Sequence, residues 1–150
     1  MARLLTLVVL ALALTATLAD AGTQRIHVTI EIVQQTSTGD IANPAIGDRI
    51  ISSVVLRDGN DVVGTGEGTC TIVSVPETPV VEDTLLQCLL TVVFDKKDQI
   101  IFGGVAPVPE IGVIAHFGIF GGTGDFRKAR GEVTITVISL VLQDAVFKLE

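Results

Sequence analysis

From Gln24 onward the chain is a succession of β-branched and aliphatic runs, each cut off by residues that turn a backbone, and no stretch holds a helical period. That pattern predicts an all-β fold with strands at Gln24–Gln35, Asp48–Arg57, Val62–Val75, Thr84–Phe94, Gln99–Val105, Val113–Phe120, Gly131–Ser139 and Leu140–Leu149. The breaks carry turn chemistry: Thr38-Gly39-Asp40 through Asn43-Pro44, Asp58-Gly59-Asn60, Asp95-Lys96-Lys97-Asp98, Pro107 with Pro109, and Gly121-Gly122-Thr123-Gly124-Asp125. Links this short favour sequential antiparallel pairing. An eight-stranded meander loses its exposed edges by closing, so an up-and-down antiparallel β-barrel is expected, with a sandwich as the alternative.

Ahead of these strands, Met1-Ala2-Arg3 precedes an apolar run from Leu4 to about Leu18, followed by Ala19-Asp20-Ala21. One positive charge, a short apolar stretch and a small-x-small site match a secretory signal peptide, shorter than a comfortable membrane span. An uncleaved anchor is the competing reading. Residues 1–21 are thus expected to be removed and 22–150 to form a single secreted domain, with no membrane span after signal removal. Export would place Cys70 and Cys88 in an oxidising compartment. A hairpin centred on Pro79 sets the two cysteines directly opposite each other, within reach of a disulfide, against two buried free thiols as the plainer outcome.

Several strands are apolar on both faces. The second has Ile50, Val54 and Leu56 on one side and Ile51 and Val55 on the other; the fourth sets Leu86, Leu90, Val92 and Phe94 against Leu85, Leu89 and Val93. A greasy outer patch is expected to be covered in a homo-oligomer. The first strand differs, with Ile26, Val28, Ile30 and Ile32 on one face and His27, Thr29, Glu31 and Val33 on the other. Alternation alone leaves open which face turns inward; a solvated His27 and Glu31 is the simpler case.

A net charge of −7 and the absence of Trp and Tyr argue against nucleic acid as a partner. Gly121-Gly122-Thr123-Gly124 lacks the Gly-Lys-Ser/Thr ending of a phosphate-binding loop, and Gly64-Thr65-Gly66-Glu67-Gly68 runs into strand residues, so both read as turns or sheet bends. His27 and His116 show no metal-ligand spacing, no Gly-x-Ser-x-Gly occurs, and neither Asn43 nor Asn60 begins a glycosylation sequon. No metal and no organic cofactor is expected.

The stretch Phe120-Gly121-Gly122-Thr123-Gly124-Asp125-Phe126-Arg127-Lys128-Ala129-Arg130-Gly131 resembles the Gly-Gly-Thr-Gly-x-Phe-Arg-x-Ala-Arg-Gly signature of dirigent proteins. The stretch from Gly47-Asp48 through Leu56-Arg57-Asp58-Gly59 to Gly68-Thr69-Cys70-Thr71-Ile72-Val73-Ser74-Val75-Pro76-Glu77 is similar to part of the allene oxide cyclases. The resemblance covers most of residues 26 to 150. It implies an eight-stranded barrel around an apolar cavity, commonly assembled as a trimer, and agrees with the strand count reached from the pattern. Thr29-Ile30-Glu31-Ile32 is similar to the cyclase segment whose glutamate polarises an epoxide. Where the cyclases have an asparagine two residues later, this chain has Val33, and Cys70 falls at a cavity cysteine. The dirigent Asp-Asp-Pro-Leu-Thr segment is replaced by Arg57-Asp58-Gly59-Asn60-Asp61.

The expectation is therefore a secreted dirigent-like protein, apoplastic if the source is a plant. It would hold an apolar or phenolic reactive molecule and bias the stereochemistry of its coupling or cyclisation. Glu31 is the expected catalytic acid or base, and His27, Thr29, Val33, Cys70, Phe117 and Arg127 are expected to meet the ligand. Arg127 and Arg130 pairing with carboxylates beside the turn is the simpler role for those two. An allene oxide cyclase-type isomerase, a lipocalin-like carrier with no acid, and an interaction module with a filled interior are the other classes. An inward Glu31 would favour catalysis, an apolar cavity without it carriage, and a filled core interaction.

Overall fold

The computed structural model describes residues 22–40, 43–76, 83–95 and 97–150. The expected signal segment and most of the loop around Pro79 lie outside them.

Eight strands follow in chain order: β1 (Gln24–Ser37), β2 (Arg49–Asp58), β3 (Asp61–Ser74), β4 (Leu85–Phe94), β5 (Gln99–Pro107), β6 (Ile114–Gly122), β7 (Gly131–Val137) and β8 (Leu142–Leu149). Each pairs antiparallel with the next and β8 returns to β1, closing the barrel. The sandwich is excluded, because no strand edge is left to make a second sheet. All eight expected strands are present. The connection between β7 and β8, which has neither Gly nor Pro, is built by Ser139: its hydroxyl accepts the backbone N–H groups of Val141 and Leu142.

Alternation sets the interior. Val28 and Ile30 of β1, Val54 and Leu56 of β2, Val133 and Ile135 of β7, and Ala145 and Phe147 of β8 are buried in the core. In β1 the alternation breaks at a bulge, where Ile32 pairs with Val54 but Gln34 pairs with Ser53. Beyond it Gln35 stands opposite Ser52 and shares the inward register that Ile32 held. In β3, Gly64, Gly66 and Gly68 occupy the inward register. A Cβ at Gly66 would press on Val54 and Val92 from either side, so this glycine run is a thin part of the wall and not a phosphate loop.

The two ends of the barrel differ. At one end five phenylalanines form a column: Phe117 to Phe102 (ring centroids 6.1 Å apart), Phe102 to Phe147 (5.4 Å), Phe147 to Phe94 (6.3 Å) and Phe94 to Phe126 (5.4 Å). Phe126 comes from the segment between β6 and β7 that resembles the dirigent signature. There Thr123 accepts the backbone N–H of Phe126, Phe126 that of Ala129, and Ala129 is buried. Two glycines of the segment have no substitute. A Cβ on Gly122 would overlap the Gln99 carbonyl oxygen, and Gly131 combines φ of 127° with the same conflict against Lys148. In this chain the signature is an end plug.

Candidate functional site

Above Phe102 the barrel is hollow. The cavity measures about 110 Å³, on a scale where one water needs about 10–15 Å³. Its wall is drawn from all eight strands, from the halves nearest the β1–β2, β3–β4, β5–β6 and β7–β8 connections, and it reaches Pro107, Pro109 and Val113 at that end. Ile30, Val54, Leu86, Phe102, Phe117 and Ile135 are among its apolar lining residues. The expected hairpin pairing holds: Cys70 opposes Cys88 in the β3–β4 register and the two form a disulfide that lines the lumen.

Polar groups are few. Gln35, Ser52 and Gln143 occupy inward positions of their strands and border the cavity. Glu67 and Thr91 border it where Gly66 and Gly68 leave the wall without side chains; both belong to the outward register, and Glu67 is exposed. Among the described residues, no inward side chain of the eight strands is ionisable, and no group of three or more His, Cys, Asp and Glu residues could hold a metal.

Of the residues singled out from sequence, Cys70 and Phe117 line this cavity. The open question of the first strand is decided by closure of the barrel: Ile26, Val28, Ile30 and Ile32 turn inward. Glu31 therefore takes the solvated position, the simpler of the two left open by alternation, and does not reach the lumen as the expected catalytic role required. Its carboxylate lies on the outer surface and accepts a hydrogen bond from Arg57 Nε at 2.7 Å, each side chain 35% exposed. His27 and Thr29 share that outer face, with His27 Nε2 2.6 Å from Asp144 Oδ1. Val33 sits at the bulge, 57% exposed. Arg127 is exposed beside the plugged end, away from the lumen. The physical reason is common to the β1 residues: four aliphatic side chains bury far more apolar surface than His27, Thr29, Glu31 and Val33 would, and an inward carboxylate would have no partner.

Sequence reasoning missed Gln143, which shares the period-two register of Ala145, Phe147 and Leu149.

The sequence matches no protein-family model and no curated protein. Solved structures do match. A pyocyanin demethylase superposes with a TM-score of 0.73 at 22% identity, covering 85% of this chain and 100% of that one. The exo-specific intermolecular Diels-Alderase AbnU gives 0.70 at 16% identity, covering 85% and 98%. A pterocarpan synthase dirigent protein gives 0.66 at 17% identity, covering 86% and 88%. The fold is that of the dirigent and allene oxide cyclase-like barrels.

Proposed function

We propose that this dirigent-type barrel takes a reactive, mostly apolar small molecule into its lumen and directs the stereochemistry of its coupling or cyclisation by shape. The observation that carries the reading is the hollow upper half, walled by branched aliphatic side chains, two phenylalanines and a disulfide. A rigid closed sheet holds such a wall in one geometry. A flexible guest confined there keeps few conformers, and selecting the one close to reaction lowers the barrier without any reacting group from the protein. A lumen with no acid or base among its described inward side chains suits bond changes that need no proton transfer, and cycloaddition, the chemistry in the name of AbnU, is of that kind. Acid or base catalysis by Glu31 would need a guest on the outer face, so the proposal leaves it aside. An epoxide-opening isomerase, which leans on such a carboxylate, is the weaker variant for the same reason.

One observation favours a second reading, carriage without reaction: among the described residues no inward-register side chain of the strands is ionisable, and Glu67 meets the cavity only from the exposed outward register. A two-step experiment separates them. Native mass spectrometry after incubation with a phenolic and fatty-acid extract identifies the guest, and chiral chromatography then follows its coupling or cyclisation with and without the protein. An enantiomeric excess that appears with protein supports direction; a racemic product from a bound guest supports carriage.

The same proposal includes export of residues 22–150, for which the Cys70–Cys88 disulfide is the support. It also includes self-association through the outer face. Leu89 of β4 is 55% exposed and Phe120 of β6 is 57% exposed, and between them Gly103 and Gly118 pair without side chains to separate the strands' outer surfaces. The subunit count in the native mass spectrum tests this, with a monomer at micromolar concentration counting against it.

A further inference from the structure

The inward face of β8 reads Gln143, Ala145, Phe147, Leu149, and the last three are buried apolar residues. Gln143 breaks the series at the hollow end. It pairs with Ile30 of β1 and Val137 of β7, which are 2% and 5% exposed, so its amide projects from an apolar wall. That amide bonds to no other described residue, and it is half-buried rather than sealed in. An aliphatic residue would continue the pattern of β8, and nothing in the fold uses the amide in its place.

We infer that Gln143 anchors the guest, and that the guest is a neutral molecule, apolar over most of its surface, with an uncharged hydroxyl or carbonyl placed to meet this amide. The inference rests on the lumen reading above and names the ligand class that reading leaves open. A glutamine amide both donates and accepts, so either group satisfies it. Without a guest, a half-buried amide is free to bond to water. A pure hydrocarbon that displaces the water leaves the amide unpaired, which costs affinity, whereas a hydroxyl or carbonyl restores the bond. Charged guests meet a different obstacle. Among the described residues the cavity lining holds no Lys, Arg or His, so a carboxylate would be stripped of water without a partner. Gln35 and Ser52, opposite each other across β1 and β2, are polar too, but Gln35 is exposed and keeps its own water, so it selects weakly.

The test uses the protein with three probes of one scaffold: naphthol, methylnaphthalene and naphthoate, titrated by calorimetry. With the wild type, naphthoate should bind at least about tenfold more weakly than naphthol, since its charge finds no partner. Gln143→Met, close in volume, should shift the naphthol-to-methylnaphthalene affinity ratio about threefold to tenfold toward the hydrocarbon. Gln87→Met, on the exposed outer face of β4, should leave the ratio unchanged. The inference is overturned if naphthoate binds as tightly as naphthol, or if a folded Gln143→Met keeps the wild-type ratio. Binding of both neutral probes would then leave the lumen reading standing; binding of neither would remove both.

Discussion

Phe102 stands edge-on to Phe147, with ring centroids 5.4 Å apart and planes at 89°, and neither residue is exposed. Phe102 borders the lumen and Phe147 lies beneath it, so this contact is the floor that divides a hollow half from a filled one. Edge-to-face packing of two buried rings stabilises by about 0.5–1.5 kcal/mol beyond the area they bury. Removing the floor should cost more. Phe102→Ala is expected to lower unfolding stability by about 3–5 kcal/mol, read from the denaturant midpoint. A loss below 1 kcal/mol would mean the column does not support the barrel.

The Cys70–Cys88 bridge closes a loop with a sequence separation of 18 residues. Replacing both cysteines by alanine should cost about 3 kcal/mol of stability, most of it through the greater freedom of the unfolded chain. Alkylation without reductant, followed by mass spectrometry, should label neither cysteine of the wild type. Labelling of both would show that the bridge does not form.

Gly131 of the plug segment contrasts with Gly118 within β6. Gly131→Ala should abolish soluble folded protein, because the backbone has φ of 127° and a Cβ would overlap the Lys148 carbonyl. Gly118→Ala should be tolerated, since the nearest atom to its Cβ would be the Phe120 ring at 3.7 Å. Circular dichroism melts of the two variants check this; equal stability would contradict the plug geometry.

On the outer face of β7 and β8, the hydrogen bond from Lys148 and its positive charge hold the Glu132 carboxyl below the usual carboxylate range, with His116 adding to the effect. A carboxyl lowered in the folded state stabilises fully above its unfolded-state value, and that contribution is lost as pH falls through the folded-state value. Stability measured from neutral pH into the acid range should therefore fall less steeply in Glu132→Gln than in the wild type. The size is small because the pair is solvent-exposed. A steeper fall in the variant would refute the assignment.

Much of the architecture was legible because a barrel strand needs only period two and a turn. The register of β3 on β4 followed from the position of Pro79 between two apolar runs, and with it the disulfide. The facing of β1 was not legible by alternation alone, since both registers could seat a strand; barrel closure decided it by burying the four aliphatic residues. The bulge at Val33 left no mark, because valine is as good a strand residue as its neighbours. Gln143 was hidden for a related reason: Leu142 and Val146 make the opposite register of β8 look equally suited to the core. The dirigent-like signature pointed correctly to the fold, but its conformationally demanding glycines and Phe126 serve the plugged end, whereas the lumen residues are scattered through ordinary strand sequence.

Titration of the purified protein with naphthol, alongside a variant whose lumen is filled, tests the hollow barrel most directly. Ala115 lines the cavity on β6. The wild type should bind the probe saturably at one site per chain, and a folded Ala115→Phe protein should lose most of that binding. Absence of binding in the wild type, or equal binding in the filled variant, would contradict the lumen as the functional site.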